Sequence, residues 1–161
     1  RSTQQAVFLD STGRAYSLPA LGLPGARGQG EPLSGRLDPP DGATFAAVLL
    51  GEPGHRWLLA CDGGQGFVAR LEALYARNRA GKTVFNLPEA ARVLPASPLP
   101  AGGEALVCAA SSEGRLLVFP VADVPEMEKG RGHLLFGIPG KKARSRDEVM
   151  VAVSVLPEEG K

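Results

Sequence analysis

The chain has 161 residues and a formal net charge of +1, and hydrophobic residues make up 43% of it. This near-neutral balance argues against non-specific nucleic-acid binding, so any such function must depend on local charge patterns. No apolar run approaches the length of a membrane span or a signal-peptide core, which predicts a soluble protein. The chain begins at Arg1 and its first methionine is Met127, so we expect it to be part of a longer protein.

Short apolar runs separated by turn signals predict an all-β protein. Glycine and proline, with 21 and 14 residues, are frequent enough for many strands joined by tight turns. The stretches Leu71–Ala76 and Val121–Met127 have helical character, but each is too short for more than a connecting turn. In chain order, the predicted strands are Ala6–Leu9, Ala15–Leu18, Phe45–Leu50, Trp57–Cys61, Gly66–Leu71, Thr83–Leu87, Ala105–Ala109, Arg115–Phe119, Leu134–Ile138 and Val149–Leu156.

The predicted strands repeat one pattern at an interval of about fifty residues. The phrases VFLDSTGRAY, LLACDGGQGF and LVCAASSEGRLL each join an apolar run to a tight turn. Their turn glycines, Gly13, Gly64 and Gly114, lie 51 and 50 residues apart and supply the positive φ that a hairpin turn needs. Such a period is typical of propellers and other arrays, and it predicts three repeats over roughly residues 5–50, 56–102 and 104–156.

Each turn is followed by a glycine-rich basic segment, in the order ARGQGE, ARNRAGKT and EKGRGH. Glycine lets the backbone approach a partner closely, while arginine and lysine supply charge and hydrogen bonds for phosphate oxygens. Around a propeller rim, such segments would form a curved basic strip that bends duplex DNA without reading its base sequence. Ordinary solvated turns are the alternative interpretation. The predicted phosphate contacts are Arg27, Arg77, Arg79, Lys82, Lys129 and Arg131, with Lys141 and Lys142 of the later KKARSRD stretch as further candidates.

The side chains do not support catalysis or a bound cofactor. Gly81-Lys82-Thr83 ends like a phosphate-binding loop, but Ala76 stands where that motif needs its first glycine, and a strand follows where it needs a helix. The two histidines, His55 and His133, have no partners at metal-ligand spacing. We therefore predict no catalytic residue, no metal site and no cofactor in this chain.

Four side chains outside the basic segments each allow two interpretations. Arg14 and Arg115 follow the turn glycine in the first and third repeats, where the second repeat has Gln65. These arginines either extend the basic strip or are exposed strand residues. Cys61 and Cys108 lie in apolar strand-like runs, and we expect core thiols in a reducing cytoplasm instead of a disulfide.

Three long phrases resemble a known family. FLDSTGRAYSLPALGLPGARGQGEPLSGRL, GFVARLEALYARNRAGKTVFNLPE and GRLLVFPVADVPEMEKGRGHLLFGIP are similar to the C-terminal domain of the bacterial topoisomerase IV A subunit, and the related domain of the DNA gyrase A subunit is built on the same repeat. The resemblance covers nearly the whole chain. It implies a β-propeller-like array of four-stranded blades, the β-pinwheel, here an open fragment of about three blades forming one domain over residues 1–161.

The resemblance also implies a function. A domain of this family binds and bends duplex DNA around its basic rim, which here would engage the transported duplex during decatenation and supercoil relaxation. Its partners would be duplex DNA, the rest of the A subunit and, in the holoenzyme, the B subunit, with no membrane. The DNA-cleaving tyrosine and the use of ATP would belong outside this chain, in an enzyme of the bacterial cytoplasm and nucleoid.

Two alternatives remain at this point. The gyrase A subunit carries a Q-R-R-G-G-K-G box, and the nearest stretch here, Asn78–Thr83, keeps the arginine, a glycine and the lysine but lacks the glutamine and two glycines. This departure favours topoisomerase IV over a gyrase wrapping domain. The other alternative is a protein-interaction propeller that does not bind DNA, which the low net charge favours.

Overall fold

The computed structural model describes residues 5–19, 42–76, 80–87, 91–100, 105–137 and 145–157. The described part is all-β, which confirms the predicted fold class. Short 3-10 helices at Leu71–Leu74 and Val121–Asp123 stand where the two helical stretches were predicted. The strands are β1 (Gln5–Asp10), β2 (Arg14–Pro19), β3 (Phe45–Leu49), β4 (Arg56–Ala60), β5 (Gln65–Arg70), β6 (Lys82–Thr83), β7 (Ser97–Pro98), β8 (Ala105–Ser111), β9 (Leu116–Pro120), β10 (His133–Leu134) and β11 (Met150–Pro157).

The strands form three open antiparallel sheets, one for each predicted repeat. Their strand orders are β3-β1-β2-β6, β10-β5-β4-β7 and β11-β8-β9. The hairpins β1–β2, β4–β5 and β8–β9 are the three that the repeat predicted. The turn glycines Gly13, Gly64 and Gly114 have φ angles of 91°, 97° and 84°, which favour a residue without a Cβ atom.

The first and second sheets each take one strand from the following repeat. Strand β6 pairs with β2, and β10 pairs with β5, so we call β6 and β10 the exchanged strands. Just after each exchanged strand, two consecutive amides donate to the carbonyl of the turn glycine in the preceding repeat. These donors and acceptors are Val84 and Phe85 with Gly13, and Leu135 and Phe136 with Gly64, at N···O distances of 2.7 to 3.1 Å.

Strand β9 lies at an edge of the third sheet and, within the described residues, no exchanged strand pairs with it. Three consecutive apolar side chains of β9 are accessible to solvent: Leu116, Leu117 and Val118 are 66%, 41% and 49% exposed. Strands β2 and β5, which occupy the same place in the other sheets, are covered by β6 and β10. The third sheet therefore presents an apolar edge that the first two do not.

Among the described residues, two of the three hydrophobic clusters lie between successive sheets, and the third, around Phe8 and Tyr16, belongs to the first sheet alone. One cluster joins the first sheet to the second, with Phe67 and Phe85 packed edge to face at a centroid distance of 5.2 Å. A second cluster joins the second sheet to the third and includes Leu58, Val68 and Met150. Since both clusters draw on neighbouring repeats, each sheet is stabilised by apolar burial against the next one.

Strand β7, at Ser97–Pro98, was not predicted from the sequence. Leu58 pairs with Ser97, and Trp57 pairs with Pro98, at the edge of the second sheet. Proline is tolerated there because an edge strand does not need every amide in the ladder. A proline-rich stretch whose pairing partner lies some forty residues earlier gives no local strand signal.

The Cys61 thiol predicts a pH dependence of stability. Cys61 is buried and free, and burial raises its pKa above the ordinary value of 9.0. The folded chain therefore keeps a proton that the unfolded chain releases above this pH, so this contribution to stability is full below about pH 9 and is lost as the pH rises further. We expect the free energy of unfolding in urea to fall as the pH rises above about 9, with a shallower fall in Cys61→Ala. Equal falls in the two proteins would contradict this assignment.

Candidate nucleic-acid interface

The structure describes three of the predicted phosphate contacts. Lys82, Lys129 and Arg131 are all exposed, as a phosphate-binding side chain must be. The other predicted contacts, Arg27, Arg77, Arg79, Lys141 and Lys142, lie outside the described residues.

In the second basic segment, a close backbone approach fixes Gly81 against β2. Its φ is 71°, and a Cβ atom here would lie 2.6 Å from the carbonyl oxygen of Ala15 and 2.7 Å from the ring of Tyr16. Only glycine fits such an approach. The next residue, Lys82, pairs with Ala15 in the sheet, and its side chain is exposed. The backbone that carries this lysine is therefore well held while its charge remains accessible.

The third basic segment lies beside the second. The Gly130 amide donates to the Val84 carbonyl at 3.0 Å, and the Gly130 carbonyl accepts from the Asn86 amide at 2.8 Å. Lys129 and Arg131 flank this glycine and are exposed. These hydrogen bonds join the third basic segment to the backbone two and four residues after Lys82, although the two segments are some fifty residues apart in the chain.

Acidic side chains reduce the positive charge near Lys82. An open cleft of about 580 Å³ is lined by Lys82 and Arg70 and also by Glu72, Glu126 and Glu128. The carboxylate of Glu126 lies 3.3 Å from the Arg70 guanidinium, and both side chains are about half exposed, so solvent weakens the pair. This mixture of charges agrees with the low net charge of the chain.

Arg14 and Arg115 prove to bind acceptors of the protein itself. Arg14 Nη2 donates to the carbonyl of Ala80 at 2.6 Å. Arg115 Nε donates to Glu148 Oε2 at 2.7 Å, and the Glu148 side chain is only 1% exposed. This hydrogen bond to the Glu148 carboxylate raises the pKa of Arg115. This use could not be predicted from the sequence, because the acceptors lie 66 and 33 residues away along the chain.

Arg146 of the KKARSRD stretch is also tied to the body of the domain. Its Nη2 donates to Asp62 Oδ2 at 2.7 Å, and this hydrogen bond raises the pKa of Arg146. Asp62 is buried, so the guanidinium offsets a carboxylate that has little access to water. The charge of Arg146 therefore serves the fold, and no local sequence signal distinguishes it from its basic neighbours.

The described residues contain neither a metal centre nor a membrane-spanning helix. Within them, no group of histidine, cysteine, aspartate and glutamate side chains is arranged to hold a metal ion. No helix in the described ranges is long and apolar enough to cross a membrane.

Comparison with known proteins gives close sequence relatives. No protein-family model matches the chain. The A subunit of DNA topoisomerase 4 from Pseudomonas aeruginosa is 50% identical to it over 157 residues, and that from Escherichia coli K12 is 43% identical over 157 residues. Both alignments cover 98% of this chain and 21% of the relative, so the chain spans about a fifth of the length of these proteins.

Solved structures agree with the sequence relatives. The E. coli ParC C-terminal domain matches with a TM-score of 0.90 and 42% identity, over 98% of this chain and 64% of that one. The DNA gyrase A C-terminal domain matches with a TM-score of 0.71 at 16% identity, over 98% of this chain and 50% of that one, which supports the fold alone. The three open sheets are blades of a β-pinwheel, as the resemblance implied. The chain belongs to the family of C-terminal domains of the topoisomerase IV A subunit.

Proposed function

We propose that this domain binds duplex DNA through the exposed cations of its basic segments and bends it without reading base sequence. The supporting observation is that Gly130, between Lys129 and Arg131, is hydrogen-bonded to Val84 and Asn86, just after the segment that carries Lys82. Cations on a fixed backbone lose less conformational freedom on binding phosphate than cations on a loose tail. Arg27, Arg77, Arg79, Lys141 and Lys142 remain proposed contacts on sequence grounds.

The proposal extends to the whole protein through its relatives, which are named as the A subunit of topoisomerase IV. The parent protein would be part of an ATP-dependent type II topoisomerase in the bacterial cytoplasm, acting on the nucleoid. In it, this domain would engage the transported duplex and favour decatenation and relaxation of supercoils. Its protein partners would be the rest of the A subunit and, in the holoenzyme, the B subunit. The residues that cleave DNA would lie outside this domain.

The salt dependence of binding tests the proposal. Binding to a duplex of roughly 40 base pairs is expected to weaken with salt, with a slope of log K against log salt of about −4 to −5 if four to six phosphates are contacted. Unrelated duplex sequences of the same length are expected to give the same slope and affinity, because phosphate contacts carry no sequence information. No binding at low salt, or a strong sequence preference, would contradict the proposal.

Single substitutions then identify the contacts. Each of Lys82→Ala, Lys129→Ala and Arg131→Ala is expected to make the slope shallower by about 0.9 and to weaken binding to all duplexes alike. Arg92→Ala is the matched control, because Arg92 is an exposed arginine outside the basic segments. If Arg92→Ala has the same effect as the other three, overall charge and not the basic segments governs binding.

A second candidate function is protein binding, and the exposed apolar edge at β9 favours it. Leu116, Leu117 and Val118 offer apolar surface on a strand with an open edge in the described part of the chain. A partner held there would bind with little dependence on salt, since apolar burial is not screened. The same salt series therefore separates the two functions.

A further inference from the structure

The guanidinium of Arg14 binds residues on both sides of Lys82. Its Nε and Nη2 donate to the carbonyl oxygen of Ala80 at 3.0 and 2.6 Å, and Nη2 also donates to that of Gly81 at 3.2 Å. Its Nη1 donates to Thr83 Oγ1 at 3.3 Å. One side chain of the first repeat thus binds the two residues before Lys82 and the residue after it.

A second side chain of β2 holds the same segment farther upstream. The Ser17 hydroxyl donates to the carbonyl of Ala76 at 2.8 Å and accepts a hydrogen bond from the Ala76 amide at 3.0 Å. Arg14 and Ser17 are three residues apart on the strand that pairs with β6. Strand β2 therefore supplies the side-chain anchors for the second basic segment in addition to the backbone ladder.

The third basic segment is held differently by the second-repeat residues that correspond to Arg14 and Ser17. Val68, in the place of Ser17, uses its backbone: its amide donates to the Pro125 carbonyl at 2.9 Å, and its carbonyl accepts from the Met127 amide at 2.7 Å. Gln65 stands in the place of Arg14, and its side-chain oxygen lies 3.5 Å from the Cys61 sulfur. Among the described residues, the second basic segment is thus anchored by side chains and the third by backbone, so substitution can remove the anchors of the second.

We propose that Arg14 is a positioning residue for DNA binding: it does not contact phosphate itself but fixes the backbone from which Lys82 reaches the DNA. This inference rests on the proposed function. All three of its donor nitrogens are engaged by Ala80, Gly81 and Thr83, which favours this role over direct phosphate contact. The fork of a guanidinium can bridge these acceptors together, whereas the single ammonium of lysine cannot.

A double-mutant cycle between Arg14 and Lys82 tests the inference by duplex affinity at low salt. Arg14→Lys keeps the charge and loses the fork, and it is expected to weaken binding about fivefold, the size expected when one charge-assisted contact is lost. Lys82→Ala is expected to cost about as much, and the double variant Arg14→Lys with Lys82→Ala is expected to bind no more weakly than Lys82→Ala alone. The slope against log salt is expected to fall by about 0.9 in Arg14→Lys, although its net charge is unchanged.

Arg115→Lys is the matched control, because it makes the same exchange at the equivalent position of the third repeat, where the guanidinium binds Glu148. It is expected to lower the melting temperature and leave duplex affinity unchanged.

Two results would overturn the inference. One is that Arg14→Lys binds duplex as tightly as the unchanged chain. The other is that the affinity loss of the double variant equals the product of the losses in the two single variants. If the unchanged chain itself fails to bind duplex, the proposed function is overturned together with the inference. Binding by the unchanged chain with a loss in Lys82→Ala but none in Arg14→Lys overturns the inference alone.

Discussion

Replacing Gly13 with alanine is expected to lower the free energy of unfolding by about 4 kcal/mol or more, a loss at the upper end for single substitutions. The φ of Gly13 is 91°, and its new Cβ atom would lie 2.2 Å from the carbonyl oxygen of Phe85. The Phe85 carbonyl would have to move. This shift would disturb the two amides that donate to Gly13 and the packing of Phe85 against Phe67. Gly64→Ala is expected to behave alike, since its Cβ atom would lie 2.5 Å from the Phe136 carbonyl oxygen. Urea unfolding measures both.

Gly114 provides the control for these substitutions. It occupies the same place in the third hairpin and has a φ of 84°, but its Cβ atom would have nothing within 4 Å. Gly114→Ala is therefore expected to cost only the backbone strain of a left-handed residue, about 1 to 2 kcal/mol. Similar losses at all three glycines would mean that backbone conformation alone decides the cost and that the close approach of the next repeat does not.

Removing the Asp10 carboxylate is expected to be the next most damaging change, at about 3 kcal/mol or more, because several donors, among them the buried Tyr16 hydroxyl, would lose their acceptor. Asp10 is fully buried. Its Oδ1 accepts from the amides of Thr12 and Arg14 at 2.9 and 3.0 Å, and its Oδ2 accepts from the Tyr16 hydroxyl at 2.6 Å. Burial and this hydrogen bond raise the pKa of Tyr16. Asp10→Ala leaves the Tyr16 hydroxyl buried with no acceptor in its place, and urea unfolding reports the loss.

Asp10→Asn separates hydrogen bonding from charge. The asparagine amide keeps one oxygen for the Thr12 and Arg14 amides, and its nitrogen can donate to the Tyr16 oxygen. We expect it to cost about 1 kcal/mol, well below the alanine variant. A loss as large as that of Asp10→Ala would show that the negative charge matters more than the hydrogen bonds.

The three hairpins could be predicted from the sequence because the residues that indicate each one lie close together in the chain. An apolar run, a turn with glycine and a second apolar run lie within about a dozen residues, and the same pattern occurs three times. Pairing between repeats has no local signal. The predicted strand Thr83–Leu87 was placed close to β6, but nothing in its residues indicated that it belongs to the sheet of Gly13. The short β7 was missed for the same reason.

The segments that form the candidate site could be predicted from the sequence, but the role of each basic side chain could not. Glycines beside arginine and lysine identified the segments that carry Lys82, Lys129 and Arg131. Sequence position could not separate these exposed cations from Arg14 and Arg146, because the difference lies in acceptors that are distant in the chain. Arg14 binds a carbonyl 66 residues away, and Arg146 binds a carboxylate 84 residues away.

The exchanged strands have a consequence for a chain that has been cut. Strand β6 follows β5 along the chain but is hydrogen-bonded to β2, and the same apolar cluster includes Leu9 of the first sheet and Phe67 of the second. A protease that cleaved the exposed turn at Gly54 would break the covalent link between these sheets and leave both of those contacts in place. The two pieces would still hold each other, so a nicked domain would migrate as one particle until it was denatured. In this protein, the array of sheets can therefore stay assembled after the polypeptide has been cut.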